Sequence, residues 1–165
     1  MESSSGLAEL EAAHPGFKAT LERALAELRK RPYLQEELRR KLEATQAETV
    51  SRFVIEFLSD RGFINDRETI RNHILHQSGQ RGYGQERIKA ELLERGAREE
   101  VVQECLQEQL GLEAELQTAL QALAKRFGAG ASRARAGRFL IGRGFSEELV
   151  EEALGRYFGS PDLPE

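Results

Sequence analysis

Tryptophan is absent, and cysteine and methionine each occur once in 165 residues. The lone thiol, Cys105, cannot close an intramolecular disulfide, so the fold is expected not to depend on an oxidising compartment. No apolar run approaches the roughly 18 residues that a membrane-spanning helix requires. The opening MESSSGLAEL carries neither the basic nor the apolar region of a secretory signal, and a cytoplasmic protein without membrane attachment is the expectation. A basic excess is missing too. The net charge of -4 argues against sequence-independent DNA binding as the main activity, because such binders carry surplus cations. Proline, present four times, leaves long stretches free of helix breakers.

What the chain does contain is helix-forming: Ala, Leu, Glu, Arg and Gln dominate. With 39% hydrophobic and 32% charged residues, it is polar for one compact globule and suits an array with much surface per core. Apolar positions recur at helical spacing almost throughout. Nine helices are predicted, carrying in order Leu21/Leu25/Leu28, Leu34/Leu38/Leu42, Val50/Phe53/Val54/Phe57/Leu58, Ile70/Ile74/Leu75 and Ile88/Leu92/Leu93. The rest carry Val101/Val102/Cys105/Leu106/Leu110, Leu112/Leu116/Leu120/Leu123/Phe127, Phe139/Leu140 and Leu149/Val150/Ala153/Leu154/Tyr157/Phe158. Asn65 and Glu68 make a capping box at the start of the fourth. Residues 1–17 are expected to form a flexible tail with at most a weak helix over Leu7–Ala13, and residues 159–165 a frayed end.

Three Arg-Gly pairs, Arg61-Gly62, Arg95-Gly96 and Arg143-Gly144, look like helix stops. In each, glycine takes the left-handed position and the next residue (Phe63, Ala97, Phe145) packs back on Leu58, Leu92 or Leu140. They are not equivalent. Arg98-Glu99-Glu100-Val101-Val102 after the second pair matches Ser146-Glu147-Glu148-Leu149-Val150 after the third, whereas Gly62 is followed by an unrelated helix. The second and third pairs therefore end the middle helices of two three-helix repeats, and Gly62 ends the last helix of another. The predicted fold is all-α: three tandem three-helix repeats, 18–64, 65–110 and 111–158, stacked into an elongated, curved molecule. Repeat 1 aligns by Leu38 and Leu42 on Ile88 and Leu92, and its middle helix lacks the Arg-Gly stop. Stacked neighbours supply the core that one unit cannot bury alone.

The segments Leu58-Ser59-Asp60-Arg61-Gly62-Phe63-Ile64-Asn65-Asp66, Gly82-Tyr83-Gly84-Gln85-Glu86-Arg87-Ile88 through Arg95-Gly96, and Phe139-Leu140-Ile141-Gly142-Arg143-Gly144-Phe145-Ser146-Glu147-Glu148-Leu149-Val150 resemble, in this order and spacing, the motifs of the RecX family. Glu37-Leu38-Arg39-Arg40-Lys41-Leu42 is similar to the family's opening. The likeness covers about residues 18–158. It departs where repeat 1 lacks a basic-Gly stop, at Asn65-Asp66, where two acids are common, and at Tyr83, in a slot often basic or small. The resemblance implies a monomeric regulator without cofactor or enzymatic activity that binds the groove of the RecA–DNA filament. There it restrains RecA's recombinase, strand-exchange and ATPase work within homologous recombination, DNA repair and the SOS response.

Charge supplies the candidate site. From Lys125 to Arg143 the chain holds Lys125, Arg126, Arg133, Arg135, Arg138 and Arg143 without one acid. The middle helix of repeat 2 and the turn before it add Arg81, Arg87 and Lys89, with Tyr83 as an aromatic contact. Arg81, Tyr83, Arg87, Lys89, Arg133, Arg135, Arg138 and Arg143 are the candidate filament-binding residues, meeting acidic protein surface or phosphates. Solvated helix faces with i, i+4 ion pairs are the plainer reading of any one cation. His73 and His76 lack further nearby ligands and are not expected to bind metal. Cys105 lies in an apolar stripe and is expected in the core. Gly82-Tyr83-Gly84 is expected to break a helix. No acid–base pair, nucleophile triad or nucleotide fingerprint is present. A weak DNA-binding helical module and a generic helical-repeat adaptor are the alternative functions.

Overall fold

The computed structural model describes residues 3–128 and 130–159. Among these there are ten α-helices and no strand: α1 (Ser3–Ala13), α2 (Phe17–Leu28), α3 (Gln35–Glu43), α4 (Glu48–Asp60), α5 (Asp66–Arg81), α6 (Gln85–Glu94), α7 (Glu99–Gln109), α8 (Leu112–Arg126), α9 (Arg133–Ile141) and α10 (Glu147–Phe158). Helices α2–α10 coincide with the nine expected from periodicity. The tenth, α1, begins at Ser3, within the stretch expected as a tail. The expected end at 160–165 lies outside the described residues.

The chain divides into two units, one running to Thr69 and including Arg95–Ala97, the other formed by Ile70–Glu94 and Arg98 onward. In the first, α2 and α3 pack on α4, and Phe17, Leu38, Leu42, Val54 and Leu58 are buried in one core. Helix α1 joins it through aromatic and polar contacts. His14, just beyond its end, stacks on Phe53 with ring centroids 3.9 Å apart. The Glu11 carboxylate accepts bonds from the Gly16 and Lys18 amides at 2.9 and 2.7 Å. These two amides open α2, so α1 provides the cap that Gly16 has no side chain to supply.

In the second unit α10 packs on α8 and α9, and Leu116, Leu123, Leu140, Phe145, Val150 and Leu154 form the core. Cys105 is fully buried, as expected. The stops behave as capping chemistry requires, with one exception. Gly62 and Gly144 have φ of 75° and 82°, and both close the paired bonds of a Schellman turn, to Ser59 and Leu58 and to Ile141 and Leu140. Phe145 then sits in the core at 1% exposed, but Phe63 remains 59% exposed. Backbone capping alone thus fixes the turn, and burial of the next side chain depends on what the unit packs there.

Two buried glutamates respond oppositely to pH. Glu27, 9% exposed, is held to about 2 by a bond from Lys30, with Tyr33 and Lys41 adding to it against the opposing effect of burial. A depressed native value contributes stability above the unfolded glutamate range near ~4.3, and that contribution disappears as pH falls toward 2. Thermal melts should therefore weaken over this interval, and Glu27→Gln should flatten the dependence. An unchanged pH profile in the variant would contradict the assignment. Glu115 in the second unit is raised, mainly by burial, although the Gln85 amide opposes the shift.

Candidate interaction surface

Two long-range contacts recur at the middle helices. The first residue of α3, Gln35, donates its amide to the Asp66 carboxylate at 2.8 Å, and Asp66 opens α5. The first residue of α6, Gln85, donates its amide to the Glu115 carboxylate at 2.7 Å, and Glu115 lies in the first turn of α8. Each helix start is thus capped by an acid about thirty residues downstream (31 and 30), since neither Leu34 nor Gly84 has an acceptor side chain at the preceding position. Helix α9 is capped by its own Ser132, whose Oγ accepts from the Arg135 amide.

The Arg-Gly stops meet the same helix starts. Gly84 donates its amide to the Arg143 carbonyl at 2.9 Å and Glu86 to the Gly144 carbonyl at 3.1 Å. A Cβ on Gly144 would lie 2.3 Å from the Arg87 Cβ and 2.5 Å from its backbone nitrogen, and one on Gly84 would lie 2.3 Å from the Gly144 oxygen. Gly82-Tyr83-Gly84 is therefore a break that also admits the α9 turn to the start of α6. In the first unit Gly96 approaches Glu36 as closely, since a Cβ there would fall 2.5 Å from the Glu36 Cγ, and Arg95 binds Glu37 at 3.0 Å. Burial would raise the Glu37 carboxyl, but Arg31 and Arg95 hold it below the usual range.

This docking brings four of the eight candidates together. The Arg87 guanidinium lies over the Tyr83 ring at 3.9 Å, and that of Arg143 lies 5.5 Å from the Tyr83 centroid and 4.6 Å from that of Phe139. Such stacking fixes a guanidinium while leaving donors available. Arg143 also donates to the Arg81 carbonyl at the end of α5. The other candidates separate. Lys89 pairs with Glu99 at 2.6 Å. Arg133 is tied to Glu151 at 3.3 Å and to the Leu154 and Gly159 carbonyls, so it holds α9 to α10. Arg135 and Arg138 are exposed and have no carboxylate partner among the described residues.

Two cations outside the candidate set stand beside it. Lys125 and Arg126, in the last turn of α8, line a cleft of about 200 Å³ with Arg81, Arg143 and Phe139. No acid lines it among the described residues. The acid-free run from Lys125 to Arg143 contained the signal, but spacing alone does not reveal that the end of α8 faces the end of α5. No group of three or more potential metal-ligating side chains is assembled among the described residues. His73 instead lies 3.3 Å from Glu91.

No protein-family model matches the chain. Solved structures share its fold: RecX from Lactobacillus salivarius superposes with a TM-score of 0.75 at 18% identity, covering 86% of this chain and 96% of that one. A second crystal structure, of a regulatory protein RecX, gives 0.71 at 19% identity over 93% of this chain and 78% of that one. Sequence likeness is higher to the regulatory protein RecX of two strains of Thermus thermophilus, each 36% identical over 130 residues, which span 79% of this chain and 86% of theirs. With that identity over most of its length, the chain belongs to the RecX family of regulatory proteins.

Proposed function

We propose that this protein binds the RecA–DNA filament and negatively modulates its recombinase, strand-exchange and ATPase activities. Family membership is the observation that carries the reading. The charge pattern supports it: in the second unit Arg81, Arg135, Arg138, Lys125 and Arg126 have no carboxylate partner among the described residues. Unpaired cations cost no ion pair on meeting an acidic or phosphate-bearing partner, whereas paired ones must first give up their own. Arg87 and Lys89, both ion-paired, are accordingly expected to contribute less than Arg135 and Arg138.

The recurrent caps and glycine contacts favour reading the chain as three repeats, 18–64, 65–110 and 111–158. Several weak patches on one monomer would then engage successive filament protomers, and their linkage raises avidity beyond any one patch. No described helix is long and apolar enough to cross a membrane.

Co-sedimentation with RecA assembled on single-stranded DNA tests the proposal. The protein should pellet with the filament and not with RecA or DNA alone. Replacing Arg133, Arg135 and Arg138 together by alanine should weaken filament binding at least about tenfold in low salt, as expected from losing one or two charge-assisted contacts. Equal binding by the triple variant would remove these residues from the interface. Capture by DNA alone with a steep log–log salt slope would favour the DNA-binding alternative. Binding to neither would favour an adaptor with another partner.

A further inference from the structure

The cleft between the ends of α5 and α8 and the α9 turn gathers four cations, none with a carboxylate partner among the described residues. Arg81, Lys125, Arg126 and Arg143 line it without an acid among the described residues. Part of that charge offsets helix dipoles, because α5 and α8 both end there and each end carries about half a negative charge. About three net positive charges remain after that subtraction. Elsewhere in the same unit, Arg87, Lys89, Arg133 and Arg156 have glutamate partners, whereas the four cations of the cleft stand together without one.

The cleft is also shaped. Gly79, Gly82 and Ala122 line part of it, and a Cβ on Gly82 would come within 3.3 Å of the Ala122 Cβ, so small residues at close approach form that part of its wall. Arg143 is held by the Arg81 carbonyl and the face of Phe139. A guanidinium has five N–H donors, and fixing it beforehand lowers the ordering cost of binding. At about 200 Å³ the space is below the roughly 300–1,000 Å³ typical of pockets that enclose a drug-sized ligand. It suits a compact group of several negative charges rather than a whole cofactor.

We propose that this cleft binds the polyphosphate group of a nucleoside di- or triphosphate, with the base and sugar left outside. One carboxylate supplies a single charge, whereas a polyphosphate supplies three or four in a volume of this size and matches the arginine forks. Affinity then follows phosphate number and ignores the base. This site acts on the protein alone and does not depend on the filament reading.

Calorimetry and thermal melts in low salt, with inorganic triphosphate, ATP, GTP and AMP as probes, test it. Triphosphate, ATP and GTP should bind within about threefold of one another, and AMP at least about tenfold more weakly, the worth of one charge-assisted contact. The tight ligands should raise the melting temperature as bound ligand stabilises the native state. Lys125→Ala with Arg126→Ala should weaken triphosphate binding at least about tenfold, each residue being exposed and free to change without unfolding the chain. Arg156→Ala, a cation paired elsewhere, should bind as the parent does. Undetectable triphosphate binding, equal affinity for AMP, a strong preference for one base, or equal losses in the Arg156 variant and the double variant would each overturn the proposal.

Discussion

Replacing Gly144 by alanine is expected to lower the melting temperature by about 8–28 °C, taking about 2–4 °C per kcal/mol for a chain of this size. Three costs coincide at this residue. Its φ of 82° strains any side-chain-bearing residue by about 1–2 kcal/mol. The added methyl would overlap the Arg87 backbone nitrogen at 2.5 Å and Cα at 2.9 Å, which no rotamer change relieves, for about 1–3 kcal/mol more. Separation of the turn from α6 would also break the bonds from Gly84 and Glu86, each worth about 1 kcal/mol. Gly62→Ala is the control. Its φ is 75°, but open space surrounds it, so only the backbone cost of about 1–2 kcal/mol applies. Calorimetric melts of the two variants decide the matter, and equal effects would show that the close approach contributes nothing.

Glu115→Ala should destabilise the protein by about 1–3 kcal/mol, the cost of leaving a partly buried amide without its acceptor, while Glu115→Gln should cost little at neutral pH. Gln can accept the Gln85 amide bond through its carbonyl oxygen without a buried charge. The sign of the pH effect separates the explanations. Burial raises the Glu115 carboxyl, so its contribution is full below the unfolded glutamate value and is lost as pH rises through the native one. Glu115→Gln should therefore gain on the parent as pH rises through that interval. Asp66→Ala, at the corresponding place in the first unit, should lose about 1 kcal/mol as a removed cap does. Denaturant melts of all three variants across pH provide the check. A Gln variant as damaged as the Ala variant would mean that charge, and not the capping bond, is what matters at Glu115.

The helices were legible because their signals are local. Stripes such as Val50/Val54/Leu58 and stops such as Gly144-Phe145 depend on neighbours three or four residues away. A recurring sequence pattern was visible in part, in the match between the residues after Gly96 and those after Gly144. Its contacts were not: Gln35 and Asp66 are 31 residues apart, and no spacing rule announces that an acid opening one helix caps another. The candidate surface divided similarly. Clustering of Arg81, Tyr83, Arg87 and Arg143 follows from docking of the α9 turn on α6. Arg133 proved to be tied to α10, and Lys125 and Arg126 were recognisable only as part of a basic run. Net charge concealed the local balance, since a chain of charge -4 still presents a cleft without acids.

RecA's single-stranded-DNA-dependent ATPase, followed while this protein is added well below one molecule per RecA, tests the central claim most directly. Inhibition that grows with the amount added and is diminished in the Arg133/Arg135/Arg138 triple variant is the predicted result. A rate unchanged up to stoichiometric amounts, with the protein shown to be folded, would contradict it.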